Sequence, residues 1–557
     1  MKKTERQLDL APRRCAMRLL PVAAAAGIAL AGGTAGAMEI DTGNPDISVR
    51  WDTTVKYGAA VRLKKPDAAL LADPGFDDGD RSTKRGGLIS NRFDLFSELD
   101  VRRGSFGLRV SGAAWYDDVY NRSNDFETSA PFAGSYVPPN HSSVADNEYP
   151  DDVRKLQGRK AEVLDAYVFG KVDAAGMPLS FRLGRYTLMY GESLFFGGNG
   201  IANAQVPIDV IKAVSVPNSQ FKEIGMPVGQ LSAQWQLSKD MSLGAYYHLE
   251  WRKYRLPGAN TYFSTVDAVD AGAESFFPGG VAPRTPDQKA PNHGEFGAQF
   301  KFKLPGSFTE YGLYAARYHE KLPIAMIALG ILPGVGPVPT GYSLVYPQRV
   351  TTYGASFSTV VSDTNVSGEV SYRHNTPITP PGGAVAVFSP AFNGSNNPAY
   401  PTGNSFHAQV SAVTLLPASP LWDGATVIGE LAFNRRLSYK VNHPLNPVDP
   451  NTTRDASGLR VAFEPQYFQV LPQLDLSVPI GLGYAIDGQS SVFSFGPRHG
   501  GDFTIGVKAE YAKTWRASLQ LTHFFGKAAP LVVGGALSFR QTMKDRDFVS
   551  LSIQRTF

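Results

Sequence analysis

The chain has 557 residues and a formal net charge of +4. It contains 43 % hydrophobic and 11 % aromatic residues, and its mean hydropathy is -0.17. Such a polarity excludes a bundle of membrane helices, each of which needs roughly 20 consecutive apolar residues. It suits a large barrel whose strands are apolar on one face and wet on the other.

Residues 1–37 read as an export signal. Lys2, Lys3, Arg6, Arg13, Arg14 and Arg18 form a basic start, Leu19 to Ala31 an apolar core, and Ala35-Gly36-Ala37 a cleavage site. Cleavage there takes away six basic and two acidic side chains, so the net charge falls to zero and no nucleic-acid partner is implied. The single cysteine, Cys15, lies in the same segment. The mature chain, 38–557, therefore has neither a disulfide nor a thiol nucleophile.

From residue 47 onward the polarity alternates with a period of two. Val49, Trp51, Val55, Tyr57 and Val61 share one parity, and Arg50, Asp52 and Lys56 the other. Phe93, Leu95, Leu99 and Val101 continue the pattern, turn at Arg103-Gly104-Ser105, and return as Phe106, Leu108 and Val110.

Comparable turns fall at 173–177, 238–240, 305–307, 361–363, 417–423, near Pro465, and at 512–514. Between these eight short connections lie nine long ones: 64–90, 118–160, 191–227, 254–293, 322–347, 376–403, 439–456, 481–500 and 527–545. Alternating short and long connections predict an all-β, antiparallel up-and-down transmembrane barrel of about eighteen strands. Trp51, Trp115, Trp235, Trp251 and Trp515 lie near strand ends, and all but Trp115 share the apolar parity of a lipid-boundary girdle. The chain ends on Val549, Leu551, Ile553 and Phe557 in one parity, the pattern of a C-terminal signal for the outer-membrane assembly machinery. Outer-membrane lipid and lipopolysaccharide are the other expected partners.

The apolar stretch 206–216 within 191–227 is better hidden inside the barrel than left in water, so this loop is expected to fold inward. Pore or constriction candidates are Arg102, Asp165, Arg182, Arg185, Glu192, Lys222, Glu223, Glu250, Arg252, Glu369, Arg373 and Glu430. Asp94, Glu98, Asp100, Arg435 and Glu510 also read as lumen charges. Arg185 shares parity with Leu183, and a bulge at Gly184 would turn it inward.

Two further loops, 322–338 and 377–392, are unusually apolar. They either gather a greasy solute at the mouth or pack on each other and on lipopolysaccharide. The acidic run Asp73, Asp77, Asp78, Asp80 could hold Ca²⁺, but it lacks EF-hand spacing and reads rather as a solvated loop; no metal or cofactor is assigned. His248 and Glu250 could share a strand face, but no Gly-x-Ser-x-Gly elbow or metal-binding histidine motif occurs. The expectation is a porin-like channel for small solutes, hydrophobic ones included, rather than an enzyme. The alternatives are an adhesion barrel acting through its loops and, behind it, an outer-membrane lipid hydrolase.

Several blocks carry a family resemblance: SNRFDLFSELDV (90–101), AAWYDDVY (113–120), LGRYTLMYGESLFFGGNGIANAQVPIDV (183–210), FKEIGMPV (221–228) and DRDFVSLSIQRTF (545–557). The chain resembles the proteobacterial outer-membrane proteins grouped as domain of unknown function 1302. That resemblance implies a porin-like barrel and transfers no catalytic residue.

Overall fold

The computed structural model describes residues 38–127, 131–132, 135–136, 138–216 and 220–557. The expected signal segment, 1–37, lies outside the described residues.

Among the described residues, eighteen antiparallel strands close into one barrel. The first half comprises β1 (Ile47–Arg62), β2 (Leu88–Arg103), β3 (Phe106–Asp117), β4 (Arg159–Ala174), β5 (Met177–Tyr186), β6 (Val228–Ser238), β7 (Met241–His248), β8 (Phe296–Lys303) and β9 (Glu310–Tyr318). The second comprises β10 (Val350–Val361), β11 (Thr364–Pro377), β12 (Thr402–Leu416), β13 (Gly424–Lys440), β14 (Asp455–Leu471), the interrupted β15 (Leu474–Ser477 and Ile480–Gly488), β16 (Gly501–Tyr511), β17 (Trp515–Phe525) and β18 (Phe548–Thr556).

Each strand pairs with its sequence neighbour, and β18 pairs with β1 from Thr54↔Thr556 to Arg62↔Phe548. Phe557 completes the seam by exchanging backbone hydrogen bonds with Thr53. Closure leaves no unpaired sheet edge, which a strand in lipid requires.

Alternation sorts the side chains. Leu183, Leu313, Val370, Val410, Leu431 and Leu551 are exposed on the outer face. Ser367, Glu369, Ser371, His407, Gln409 and Glu430 are buried on the inner one. Trp51, Trp235 and Trp515 stand near the short-turn end, where Trp422 packs on Phe463 at 5.4 Å; aromatic rings favour that depth.

Three expectations need correction. β14 runs through Pro465, which pairs opposite Ala425, and the turn falls at 472–473. The missing proline donor instead interrupts β15 at Val478-Pro479, and the strand resumes into the region expected to be loop. Trp251 lies beyond the end of β7 and packs against Tyr346 at 4.8 Å inside the core of the long loops, so it is no girdle residue. Arg435 shares the outward parity of Leu431 and Phe433, and near the strand end it forms a two-pronged ion pair with Asp455 at 2.5 and 2.7 Å.

Of the two readings of the apolar loops, the structure shows mutual packing. Ile324–Leu332 pairs with Gly336–Val345, and Ala384–Val387 adds a parallel third strand. Met326, Val345, Val385, Val387 and Tyr400 form their shared core. The hairpin tip, with Ile331 and Val335, is the most exposed part, and Leu322 and Phe388 also stay exposed.

Val410→Arg, at mid-strand on the lipid face, should cost about 2–4 kcal/mol of folding free energy. Urea titration of folding into lipid vesicles measures it.

Candidate functional site: a loop clamped inside the barrel

The third long loop, 187–227, folds into the lumen and lies against one side of the wall. An irregular segment buried there carries backbone N–H groups with no sheet partner, and each must find an acceptor. Two wall carboxylates supply them.

Glu369 of β11 accepts from the N–H groups of Glu192 at 2.7 Å and Ile201 at 2.9 Å, and from the Ser193 hydroxyl at 2.9 Å. Glu430 of β13 accepts from the N–H groups of Leu194, Phe195 and Phe196 at 3.0, 2.6 and 2.7 Å. Both side chains are buried. Arg373, on the same strand as Glu369, returns the contact by donating to the carbonyls of Gly198, Asn199 and Gly200 at 3.1, 2.8 and 2.8 Å.

Asn199 sits on the inner face of the paired strands β12 and β13. Its Oδ1 accepts from Asn434 at 3.1 Å and contacts His407 Nδ1 at 2.9 Å, while its Nδ2 donates to Gln409 at 3.2 Å. The turn Phe196-Gly197-Gly198-Asn199-Gly200 sits so close to its seat that a Cβ at Gly200 would overlap Glu369 and Ser193. One at Gly198 would overlap the Phe493 ring. Glycine supplies that approach.

Apolar contacts continue the docking. Ile201 packs with Tyr190, Tyr246 and Tyr314, and Ala204 with Ala316, Tyr318 and Val350. Lys321, from the loop after β9, is buried and donates to the carbonyls of Asn203 and Ala204 at 3.2 and 3.3 Å. Burial pulls its ammonium below the ordinary lysine range, and Glu295 at 3.7 Å opposes that pull.

The loop then crosses the lumen as two short helices, α1 (Val210–Ser215) and α2 (Phe221–Ile224). Asp209 caps α1 by accepting from the Lys212 N–H at 3.0 Å. Arg255, from the loop after β7, joins Asp209 at 2.7 Å to Glu162 of β4 at 2.6 Å, so a second loop braces the first.

Opposite the docked side a cavity of about 570 Å³ remains. Its wall comes from β1–β4, β17 and β18, with Lys56, Arg92, Asp94, Trp115, Glu162 and Asp165 facing it. Its loop side presents Asp209, Ile211, Lys212, Val216, Glu223 and Met226. The Trp115 ring carries Arg92, Lys160 and Arg255 at 4.6, 5.8 and 5.7 Å from its centroid. The one tryptophan of opposite parity thus faces the lumen.

The sequence candidates separate into groups. Glu192, Glu369, Arg373 and Glu430 belong to the clamp, and Glu192 also reaches Lys301 at 3.4 Å. Asp165 and Glu223 line the cavity, whereas Lys222 beside them is exposed without lining it. Arg102 lies at the short-turn end with Asp100 at 2.7 Å, and Arg182 stands 5.9 Å from the Tyr167 and Tyr186 rings.

No bulge reorients Arg185. The pairing Tyr167↔Gly184, Ala166↔Arg185 runs without a shift, and Arg185 sits at the end of β5, 3.7 Å from Glu250. The bulge lies in β4, where Ala166 and Val163 face Val110 and Gly112. Arg252 joins the same rim through the Pro227 carbonyl at 3.2 Å and Glu162 at 3.5 Å. His248 pairs with Glu295 at 3.2 Å, and Glu250 accepts from the Gly229 N–H at 2.8 Å, so the two residues that could share a strand face take separate partners.

Sequence reasoning missed Lys56, Glu162, Asp209, Lys212 and Arg255 as cavity residues. Asp94, Asp165 and the opposite parity of Trp115 were the signals that pointed to this wall.

The architecture is thus that of a closed antiparallel eighteen-stranded barrel with a loop folded into its lumen. The chain belongs to the family described as Protein of unknown function (DUF1302), whose profile matches residues 18–557. No curated protein sequence matches it.

Among solved structures it is similar to Pseudomonas aeruginosa OpdK with vanillate, at 11% identity over 91% of this chain and 98% of that one, with a TM-score of 0.40. It is also similar to Acinetobacter baumannii OccAB1, at 10% identity over 94% and 98% with a TM-score of 0.43. The outer membrane channel DcaP of the same species is similar at 9% identity over 94% and 100%, with a TM-score of 0.37.

Glu430→Ala leaves three loop amides without their acceptor, at about 1–3 kcal/mol for each that stays buried, and should weaken the clamp by about 3 kcal/mol or more. Hydrogen exchange at Leu194, Phe195 and Phe196 should then speed up about a hundredfold or more, the rate equivalent of that energy.

Proposed function

We propose that the protein is an outer-membrane channel whose third long loop narrows the lumen to a passage along β1–β4, β17 and β18. The observation that carries this reading is the one-sided docking of the loop. Glu369, Glu430 and Arg373 hold it against β11–β13, and a cavity of about 570 Å³ stays open against the opposite wall.

An eighteen-stranded barrel is wide enough for water to cross, so whatever fills the lumen sets the passage. One wall here is aromatic and charged, with Trp115 beneath Arg92, Lys160 and Arg255 and the carboxylates of Asp94 and Glu162 paired to them. The loop across from it offers Ile211, Val216, Ile224 and Met226. Such a passage suits small amphipathic solutes better than fully hydrated ions. Carboxylates and cations alternate along it, so weak ion selectivity is expected.

Purified protein in planar lipid bilayers should give discrete, small conductance steps. Glu369→Gln combined with Glu430→Gln should raise the step, or its noise, by roughly twofold or more as the loop leaves the wall. Bilayers silent for both proteins would contradict the channel and favour a closed barrel that binds through its loops.

A further inference from the structure

At the long-loop end of the barrel, three loops meet over a group of buried carboxylates. Asp77 and Asp78 come from the loop 63–87, Asp267 from the loop 249–295, and Asn140 from the loop 118–158. One oxygen from each of Asp77, Asp78 and Asp267 lies within 4.8 Å of the others, and the three residues are 2%, 1% and 0% exposed. The acidic run is therefore not the solvated loop its sequence suggests.

The charges around it do not balance. Asp77 has Arg81 at 2.7 Å, and Asp80 has Arg546 at 2.7 Å. Among the described residues neither Asp78 nor Asp267 pairs with any cation: Asp78 accepts from the Asn140 N–H at 2.9 Å, and Asp267 Oδ2 from the Asp78 N–H at 3.2 Å. Asp267 Oδ1 is fully enclosed and accepts nothing. Asn140, itself fully buried, holds a second idle acceptor, its Oδ1, while its Nδ2 is spent on the carbonyls of Ser275 and Phe276. Burial pushes the Asp78 and Asp267 carboxyls above the usual range and Asp77 up to about 6, each raised further by neighbouring carboxylates.

Orphaned oxygens from separate chain segments, gathered with a single guanidinium for three carboxylates, are the donor set of a hard cation. We propose that Asp77, Asp78 and Asp267 form a binding site for a divalent cation, Ca²⁺ because the donors are all oxygens drawn from separate loops. The bound ion staples the first and fourth long loops together at the barrel mouth, and Asn140 offers a further oxygen. Mg²⁺ demands a more regular octahedron and fits a site assembled from distant loops less well.

The test uses the full-length mature protein, refolded in detergent free of lipopolysaccharide and titrated with CaCl₂ by calorimetry at pH 7.5. Wild type should bind one Ca²⁺, and Asp267→Asn should bind at least tenfold more weakly while the barrel retains its heat-modifiable gel mobility. Limited proteolysis of the loops should slow with Ca²⁺ in wild type and not in the variant. Should Asp267→Asn fail to fold, Asp78→Asn replaces it with the same expected loss. No Ca²⁺ uptake by wild type would overturn the proposal, as would equal binding by the variant. Silent wild type with loops equally protected in Asp78→Asn would mean that protons fill the site instead.

Discussion

Two carboxylates on the barrel wall and the unpaired amides of an irregular loop satisfy one another, and the rest of the interior follows from that exchange. Alone, Glu369 and Glu430 would be costly anions facing a crowded lumen, and the loop backbone would leave polar groups unmatched. Together the two side chains accept from the N–H groups of Glu192, Leu194, Phe195, Phe196 and Ile201. Charge-assisted hydrogen bonds of this kind are stronger than neutral ones, and five on one short segment fix its position.

Because the clamp acts on one side, the lumen becomes asymmetric. β11, β12 and β13 present residues spent on holding the loop, including His407, Gln409 and Asn434. The charged side chains of β1–β4 remain beside the cavity. Arg255 ties the free edge of the loop to Glu162, and Lys321 ties its middle to the loop after β9. A displacement of the third loop would therefore break contacts with two other long loops, which couples the mouth of the barrel to its interior.

The barrel was legible in the sequence because a one-residue shift of register would turn every apolar side chain inward. Alternation through Val49, Trp51 and Val55 is thus a physical requirement of lipid on one face. Pro465 misled because proline usually ends a strand, yet here it is accommodated opposite Ala425. Arg435 misled because parity near a strand end no longer implies a lipid neighbour: an arginine there reaches water and finds Asp455. Glu369, Arg373 and Glu430 were legible as inward charges, and the inward loop as a hidden apolar stretch. That these two features answer each other was not, since strand parity carries no information about which loop amide approaches which carboxylate. Glu162 and Arg255 escaped notice for the same reason, although Asp94 and Asp165 on that wall did not: Arg255 reaches Glu162 from 93 residues away.

Residues 192–201 of the third loop lie against β11–β13, across the lumen from Ser550 of β18, and proximity in the membrane tests this most directly. Cysteines placed at Ser193 and Gln409, and in a second protein at Ser193 and Ser550, would be treated in intact outer membranes with a short thiol-to-thiol cross-linker. The account predicts rapid cross-linking of the first pair and little of the second. Equal cross-linking of both, or preference for Ser550, would contradict a clamped loop and leave the open passage without its boundary.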